Sequence, residues 1–443
     1  MAELKRELSR FDMTMIAIGS TIGSGIFLTP ALIAHILPSP SWIIGIWLVG
    51  GVMALTGALT FAELGGMMPG AGGVYVYLNE AYGPLAGFLY GWAYFLVCNT
   101  GGIAALSLAF ATYLGHFIPL SPAGIRAAAV TGLLLVTALN VRGVKIAGMF
   151  SDIFTLLKLS GIGFLIAAGI GWGTNRHIDF SSPLILKDST LGEALSVAMV
   201  GVLWSFGGWQ HASYAAGEAR DPRRTIPFAM VTGAVVVIAV YGLTNLSYML
   251  LLPVEAIGAS PRLASDAMQT VMGSAGGGII AAAIFISTFG TTGIYTLTAP
   301  RIYFAMARDG LFFRKVAEVH PRFHTPAFAI MIQSAWAIIL ILFWGTFENL
   351  ISYVVFTDWI FFALAATGVF ILRKKRPGAE RPYRTLGYPL TPLVFIIISI
   401  WFVGNTLMNR PEEAWAGIAF LALGVPVFLF WKRKAAVLPT GGS

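Results

Sequence analysis

Two stretches of this chain are too rich in glycine and hydroxyl residues to be plain apolar helix. The first reads Ile18-Gly-Ser-Thr-Ile-Gly-Ser-Gly-Ile-Phe27 and the second Trp204-Ser-Phe-Gly-Gly-Trp-Gln210. A glycine inside a helix costs about 1 kcal/mol relative to alanine, so each stretch is expected to interrupt a helix and free peptide groups. A helix that resumes near Ser24, just after Gly23, points the amides of Ser24, Gly25 and Ile26 at the break. Such N-termini bind anions through unpaired N–H groups and the helix dipole. A helix that ends near Trp204 leaves the carbonyls of Trp204, Ser205 and Gly207 without partners. With carbonyls near Thr21 they suit an ammonium group. An α-amino acid carries both charges on one carbon. Hydrogen bonds to charged groups contribute roughly 1.5–3 kcal/mol each, so a few are enough to hold it.

The elements that must position these groups follow from composition. Of 443 residues, 57% are hydrophobic and only 11% charged, against roughly 25% charged in a soluble chain. A membrane span needs roughly 20 apolar residues. Runs of that length occur near 12–37, 41–67, 84–114, 123–140, 146–172, 194–217, 226–252, 276–306, 326–345, 348–372, 388–408 and 413–431. The expected fold is therefore all-α and integral to the membrane, with twelve transmembrane helices in a single domain. The first run follows Lys5, Arg6 and Arg10 much as in a signal peptide, but its length marks it as a retained span.

The net charge of +8 would suggest nucleic acid in a soluble protein. Here 21 Lys and Arg residues fall in the segments that share a side with the N-terminus, and four (Arg176, Lys187, Arg262 and Arg410) on the other side. That asymmetry predicts both termini in the cytoplasm. Cys98, the one cysteine, lies inside an apolar run, so no internal disulfide forms.

Each interruption falls 10–14 residues into its span, close to the bilayer midplane at about 1.5 Å per residue. The second break lies five spans on from the first, so the two broken helices run in opposite directions. Glycines also allow close helix packing, and Gly19 with Gly23 fits that pattern. Two interruptions at matching depth in two inverted halves favour a transporter's binding site. Irregular backbone at that depth persists only against protein or a watery cavity.

These residues resemble the amino acid–polyamine–organocation superfamily. Gly23-Ser-Gly-Ile-Phe27 resembles its first-helix signature, and Glu63-Leu-Gly-Gly-Met-Met-Pro-Gly-Ala-Gly-Gly-Val-Tyr75 resembles the stretch closing its second helix. Phe206-Gly-Gly-Trp209, followed by Glu218-Ala-Arg-Asp-Pro-Arg-Arg-Thr-Ile-Pro227, is similar to the L-type amino acid transporters. The resemblance covers nearly the whole chain. It implies a five-plus-five inverted repeat (12–172 and 194–372) followed by two further helices (388–431), with alternating access and sodium-independent exchange of neutral amino acids. By carry-over, the backbone around Ser24 and Gly25 takes the carboxylate, and carbonyls of Thr21, Trp204 and Gly207 take the ammonium. Trp204 stands where the family often has an aromatic gate. Animal members join a partner glycoprotein through a cysteine after the third span. Here Gly115-His-Phe-Ile-Pro-Leu-Ser-Pro122 has none, so no disulfide-linked partner is expected.

Lys158, in Phe154-Thr-Leu-Leu-Lys-Leu159, is mid-way along the fifth span. A charge there costs at least about 2.5–3.5 kcal/mol, and its depth makes snorkelling to the interface awkward. In several sodium-independent relatives a lysine at this point resembles the sodium ion of sodium-coupled ones in position. That resemblance implies contacts with a carbonyl near Gly19 and with hydroxyls of the eighth span, Ser287, Thr288 or Thr291. Burial also makes a titrating lysine conceivable.

Gln210 cannot titrate, unlike the glutamate that acid-driven exchangers of the superfamily carry nearby. Glu63 and Glu218, near span ends, read as gate or loop-anchoring groups. Asp358, in the tenth span, lines the path or bonds neighbouring backbone. Packing is the default for Cys98 and Asn99, and an interhelical hydrogen bond for His211. No His, Cys and carboxylate grouping has metal-ligand spacing, and no cofactor is expected. Neither break contains an acidic residue to meet a cationic side chain. With Gly207 and Gly208 as floor and Trp204 as bulk, small neutral amino acids are the expected substrates. A proton-coupled symporter on the same fold is the alternative. A membrane enzyme would need acid, base or nucleophile residues gathered at one depth, and a channel a continuous polar lining. The spans provide neither.

Overall fold

The computed structural model describes residues 3–175, 177–186, 189–343 and 347–437. Arg176 and Lys187 of the charge count lie outside them. The described residues form helices joined by short turns, with one isolated bridge between Leu8 and Ala219. In lipid every backbone group must find its partner within the protein, and long apolar runs do so as helices. Nine helices among the described residues are long and apolar enough to cross a membrane. The 191–206 and 327–343 helices are shorter and also apolar.

The first run is two helices, α1 (Arg10–Thr21) and α2 (Gly25–Ile36), as the glycines predict. Next come α3 (Pro40–Met67) and the short α4 (Val74–Tyr82). The third run holds a feature its sequence did not announce: α5 (Pro84–Ala93) passes through a π-turn at Tyr94–Cys98 before α6 (Asn99–Leu114). Then follow α7 (Pro122–Val141) and α8 (Val144–Trp172). The sixth run was expected to cover 194–217. It stops at Phe206 as α9 (Leu191–Phe206) and resumes only as the single turn α10 (His211–Tyr214) and a 3-10 turn at Ala216–Glu218. Gly207 is extended and Gly208 has φ of +135°, a conformation that side chains with a Cβ rarely adopt.

After α11 (Pro222–Leu251), the stretch expected as a plain loop contains α12 (Val254–Ala259) and α13 (Leu263–Met272). The chain continues through α14 (Ser274–Thr298), α15 (Pro300–Arg308), α16 (Ala327–Phe343), α17 (Phe347–Lys375), α18 (Leu390–Asn409) and α19 (Pro411–Val437). α1 packs against α8, α11 and α14, so the first break sits among the innermost helices.

The two span-end glutamates are both paired. Glu63 of α3 accepts from Arg373 at 2.7 and 2.9 Å and from the Thr385 amide at 2.7 Å. Arg381 stands 3.3 Å away. Glu63 thus anchors the loop after α17. Glu218 takes a bidentate pair from Arg301 of α15, at 2.6 and 2.7 Å, with both side chains fully buried. Beside it, Leu8 exchanges backbone hydrogen bonds with Glu218 and Arg220 at 3.0 and 2.8 Å. The segment before α1 is thereby tied to the strand of chain that follows α10.

Candidate substrate site at two helix breaks

The two breaks touch. Ser20 Oγ donates to the Gly208 carbonyl at 2.8 Å, and a Cβ on Gly208 would lie 2.6 Å from Ser20 backbone. Where α2 begins, a Cβ on Gly25 would lie 2.7 Å from Ser205 Cα. Thr29 and Ser205 share a hydrogen bond of 2.9 Å, and the Trp204 indole donates to Ser24 Oγ at 3.3 Å. Glycine is required at 25 and 208 for this close approach.

Each predicted residue can be placed against this contact. Ser24 is the N-cap of α2 and its carbonyl accepts from Phe27 and Leu28 at 3.1 Å. The amides of Gly25 and Ile26 precede the first intrahelical bond and have no helical acceptor. The Gly23 amide is turned back onto Thr21 at 3.0 Å. At the other break, Gly207 N–H closes on the Leu203 carbonyl at 2.9 Å. Two of the expected free carbonyls are not free. Thr21 and Ser205 both accept from the Tyr241 hydroxyl of α11, at 3.0 and 2.9 Å. A buried carbonyl without a partner is costly, and Tyr241 supplies one to each break at once. It bridges them from a helix that neither glycine motif indicated. Its only signal was a phenol in the middle of an apolar run. Gln210, noted in the sequence only as a residue that cannot titrate, has a structural role: its side-chain oxygen accepts from the Gly208 amide at 2.9 Å and holds the turn.

Lys158 is fully buried. Its ammonium donates to the carbonyls of Gly19 and Ile22 at 2.8 and 2.7 Å, and to Thr291 Oγ1 at 2.6 Å. Thr291 Oγ1 also lies 3.0 Å from both carbonyls. Ser287 Oγ, one turn before it on α14, donates to the Gly23 carbonyl at 3.2 Å. All of these but Thr288 gather around the first break. Thr288 is rotated about a quarter turn from Ser287 on the helix. It bonds the Ile284 and Phe285 carbonyls of its own helix, at 2.8 and 3.2 Å, and does not join the cluster. The cluster ends a polar seam along α1 and α8. Thr155 donates to the Met15 carbonyl at 3.3 Å, and Asp12 meets Asp152 at the far end.

A small cavity of about 20 Å³ adjoins the second break. Trp204, Gly207, Gln210 and His211 line it from the break, Tyr94 and Cys98 from the π-turn, Tyr295 from α14 and Asp358 from α17. Its size suits about one water molecule, so the breaks must part to admit an amino acid. His211 is held by Thr298 at 2.6 Å and Tyr94 at 3.1 Å, the interhelical bonds expected of it. Asn99 bonds Gln333 at 3.0 Å, which is a packing contact between α6 and α16. Among the described residues no three His, Cys, Asp or Glu side chains gather as a metal site would require.

Similarity to known proteins agrees with this geometry. The chain is 31% identical to the serine/threonine exchanger SteT of Bacillus subtilis (strain 168), over 98% of each chain. It is 29% identical to the b(0,+)-type amino acid transporter 1 of Homo sapiens, covering 97% of this chain and 90% of that one. It is equally similar to the Asc-type amino acid transporter 1 of Mus musculus, covering 97% and 82%. The amino acid permease family model matches residues 8–429. This multi-pass membrane protein therefore belongs to the amino acid permease family of the amino acid–polyamine–organocation superfamily, a family of transporters rather than enzymes.

Proposed function

We propose that the protein exchanges small neutral L-amino acids across the membrane by alternating access and without sodium. The observation that carries this reading is the contact between the two helix breaks. The unbonded amides of Gly25 and Ile26 at the start of α2 offer a seat for a carboxylate. The last turn of α9 and the end of α1 direct carbonyls toward the same point, where an ammonium group would replace part of the bonding now made by Tyr241. In this reading Thr21, Gly23, Ser24, Gly25, Ile26, Trp204, Ser205 and Gly207 form the substrate site.

Lys158 with Gly19, Ser287 and Thr291 takes the place of a coupling cation. A resident ammonium already bonded to three oxygens leaves no role for sodium there. The same reading has twelve spans, a five-plus-five inverted repeat over 12–172 and 194–372, two further helices, both termini cytoplasmic, and no disulfide-linked partner.

The test is counterflow in proteoliposomes, with labelled alanine outside and a panel of amino acids, or none, inside. Exchange predicts uptake only when a neutral amino acid is inside, unaltered when sodium is replaced by choline. Uptake into empty vesicles driven by a pH gradient would instead identify a proton symporter.

A further inference from the structure

The cavity beside the second break is lined by a buried carboxyl oxygen that has no partner. Asp358 projects from α17 into it and contacts the Cys98 thiol, while its Oδ1 is buried and bonded to nothing. Several neighbours in the lining are engaged. His211 is held on both ring nitrogens, Gln210 Oε1 takes the Gly208 amide, and the Trp204 indole reaches Ser24. A buried acceptor left unpaired is destabilising, and it becomes paired when a ligand brings a donor.

The geometry points to Asp358 as the group that receives the side-chain hydroxyl of the substrate. Serine and threonine would then be preferred over alanine, which lacks the hydroxyl, and over valine, which has threonine's size and shape with a methyl in place of the hydroxyl. This inference rests on the exchange reading and deepens it. The substrate's charged ends are held by backbone, which every amino acid satisfies equally, so discrimination has to come from side chains around the cavity. Trp204, Tyr94 and Tyr295 limit its size, and Asp358 adds the one acidic group. Once the breaks part, a lining with one acidic acceptor matches a short side chain that ends in a hydroxyl. A long cationic side chain would need to displace those aromatic walls to reach the same carboxyl. Sites built to bond a substrate hydroxyl discriminate strongly against analogues that lack it.

The test compares each hydroxyl amino acid with an analogue that lacks the hydroxyl. Competition by threonine and by valine, and by serine and by alanine, is measured in counterflow on the wild type and on Asp358→Leu and Asp358→Asn. The wild type should prefer the hydroxyl member of each pair by roughly tenfold to a hundredfold, in line with what leaving a buried acceptor unpaired costs. In Asp358→Leu the KM for threonine should rise until the two members of a pair compete equally, with valine transport retained. Asp358→Asn, which keeps an acceptor without the charge, should fall between. Equal competition in the wild type, an unchanged ratio in the Leu variant, or lysine outcompeting serine would each overturn the assignment. If Asp358→Leu does not fold, an unchanged ratio in Asp358→Asn overturns it. Should no amino acid be exchanged at all, the exchange reading fails. The Asp358 assignment is then judged by thermal stabilisation of the purified protein, where threonine must act at lower concentration than valine.

Discussion

Replacing Lys158 by alanine tests the cation substitute directly, and its cost can be worked from the contacts. Three bonds from an ammonium, at the lower bound of about 1.5 kcal/mol each, contribute about 4.5 kcal/mol. Burying the charge costs about 3 kcal/mol, so the lysine contributes a net of about 1.5 kcal/mol. Its removal also leaves the Gly19 and Ile22 carbonyls to share the single Thr291 proton. One of them is orphaned, at about 1–3 kcal/mol. The sum is about 2.5–4.5 kcal/mol, and each 1.4 kcal/mol is a factor of ten.

Only the part of that sum that differs between conformations appears in transport. The expected outcome is a loss of about tenfold or more in the alanine counterflow rate for Lys158→Ala, with folded protein retained on size exclusion. Arginine should not rescue it. Its planar fork needs room that Gly19 lacks, since even a Cβ there would overlap the Thr155 hydroxyl. A variant within about twofold of wild type in rate and KM would refute the claim that the lysine ties α1, α8 and α14 around the break. A strict sodium requirement in the wild type would refute the claim that it stands in for the ion.

Two further substitutions probe the breaks. Gly25→Ala pushes a Cβ to 2.7 Å from Ser205 Cα; α2 and α9 must separate, at about 1–3 kcal/mol, and the KM for alanine should rise about tenfold while the amount of protein made is unchanged. Tyr241→Phe strips the shared donor from the Thr21 and Ser205 carbonyls; melting temperature should fall by the several degrees that about 1–3 kcal/mol produces, and saturating alanine should restore much of the difference if its ammonium takes over those carbonyls.

Apolar length and glycine position made the spans and both breaks legible. Ser24 caps α2 and α9 ends at Phe206 because Gly23, Gly25, Gly207 and Gly208 remove the side chains that would otherwise hold the helix. Lys158 was legible because a charge at that depth must have partners. What lay hidden were contacts across distant sequence. Tyr241 looks like any phenol in a membrane helix until a carbonyl from each break is seen to converge on it. Thr288 and Thr291 look alike in sequence, and only the rotation of α14 separates the one that meets Lys158 from the one that bonds its own helix. The π-turn at Tyr94–Cys98 carries no glycine or proline to announce it. Apolar composition likewise said nothing about α12 and α13, which the twelve-run reading passed over as loop.

The ties on the two sides of the breaks differ in kind, and that difference predicts which side opens first. Toward the end away from the N-terminus, the breaks are held by neutral bonds: Thr29 to Ser205 and Trp204 to Ser24. Each contributes about 0.5–1.5 kcal/mol. Toward the N-terminal end stand the buried Glu218–Arg301 pair and the Leu8 backbone bridge. Separating a buried ion pair costs about 3–5 kcal/mol. Opening away from the N-terminus is thus the less costly motion. Cys98, the chain's one cysteine, is buried and lines the cavity, so it reports which side opens without any added probe. A membrane-impermeant thiol reagent should label it faster from the side away from the N-terminus. The double variant Glu218→Gln, Arg301→Gln replaces the ion pair by a neutral amide pair and should raise labelling from the N-terminal side by about tenfold. Faster wild-type labelling from the N-terminal side, or no change in the double variant, would mean that the buried pair is not what holds that end closed.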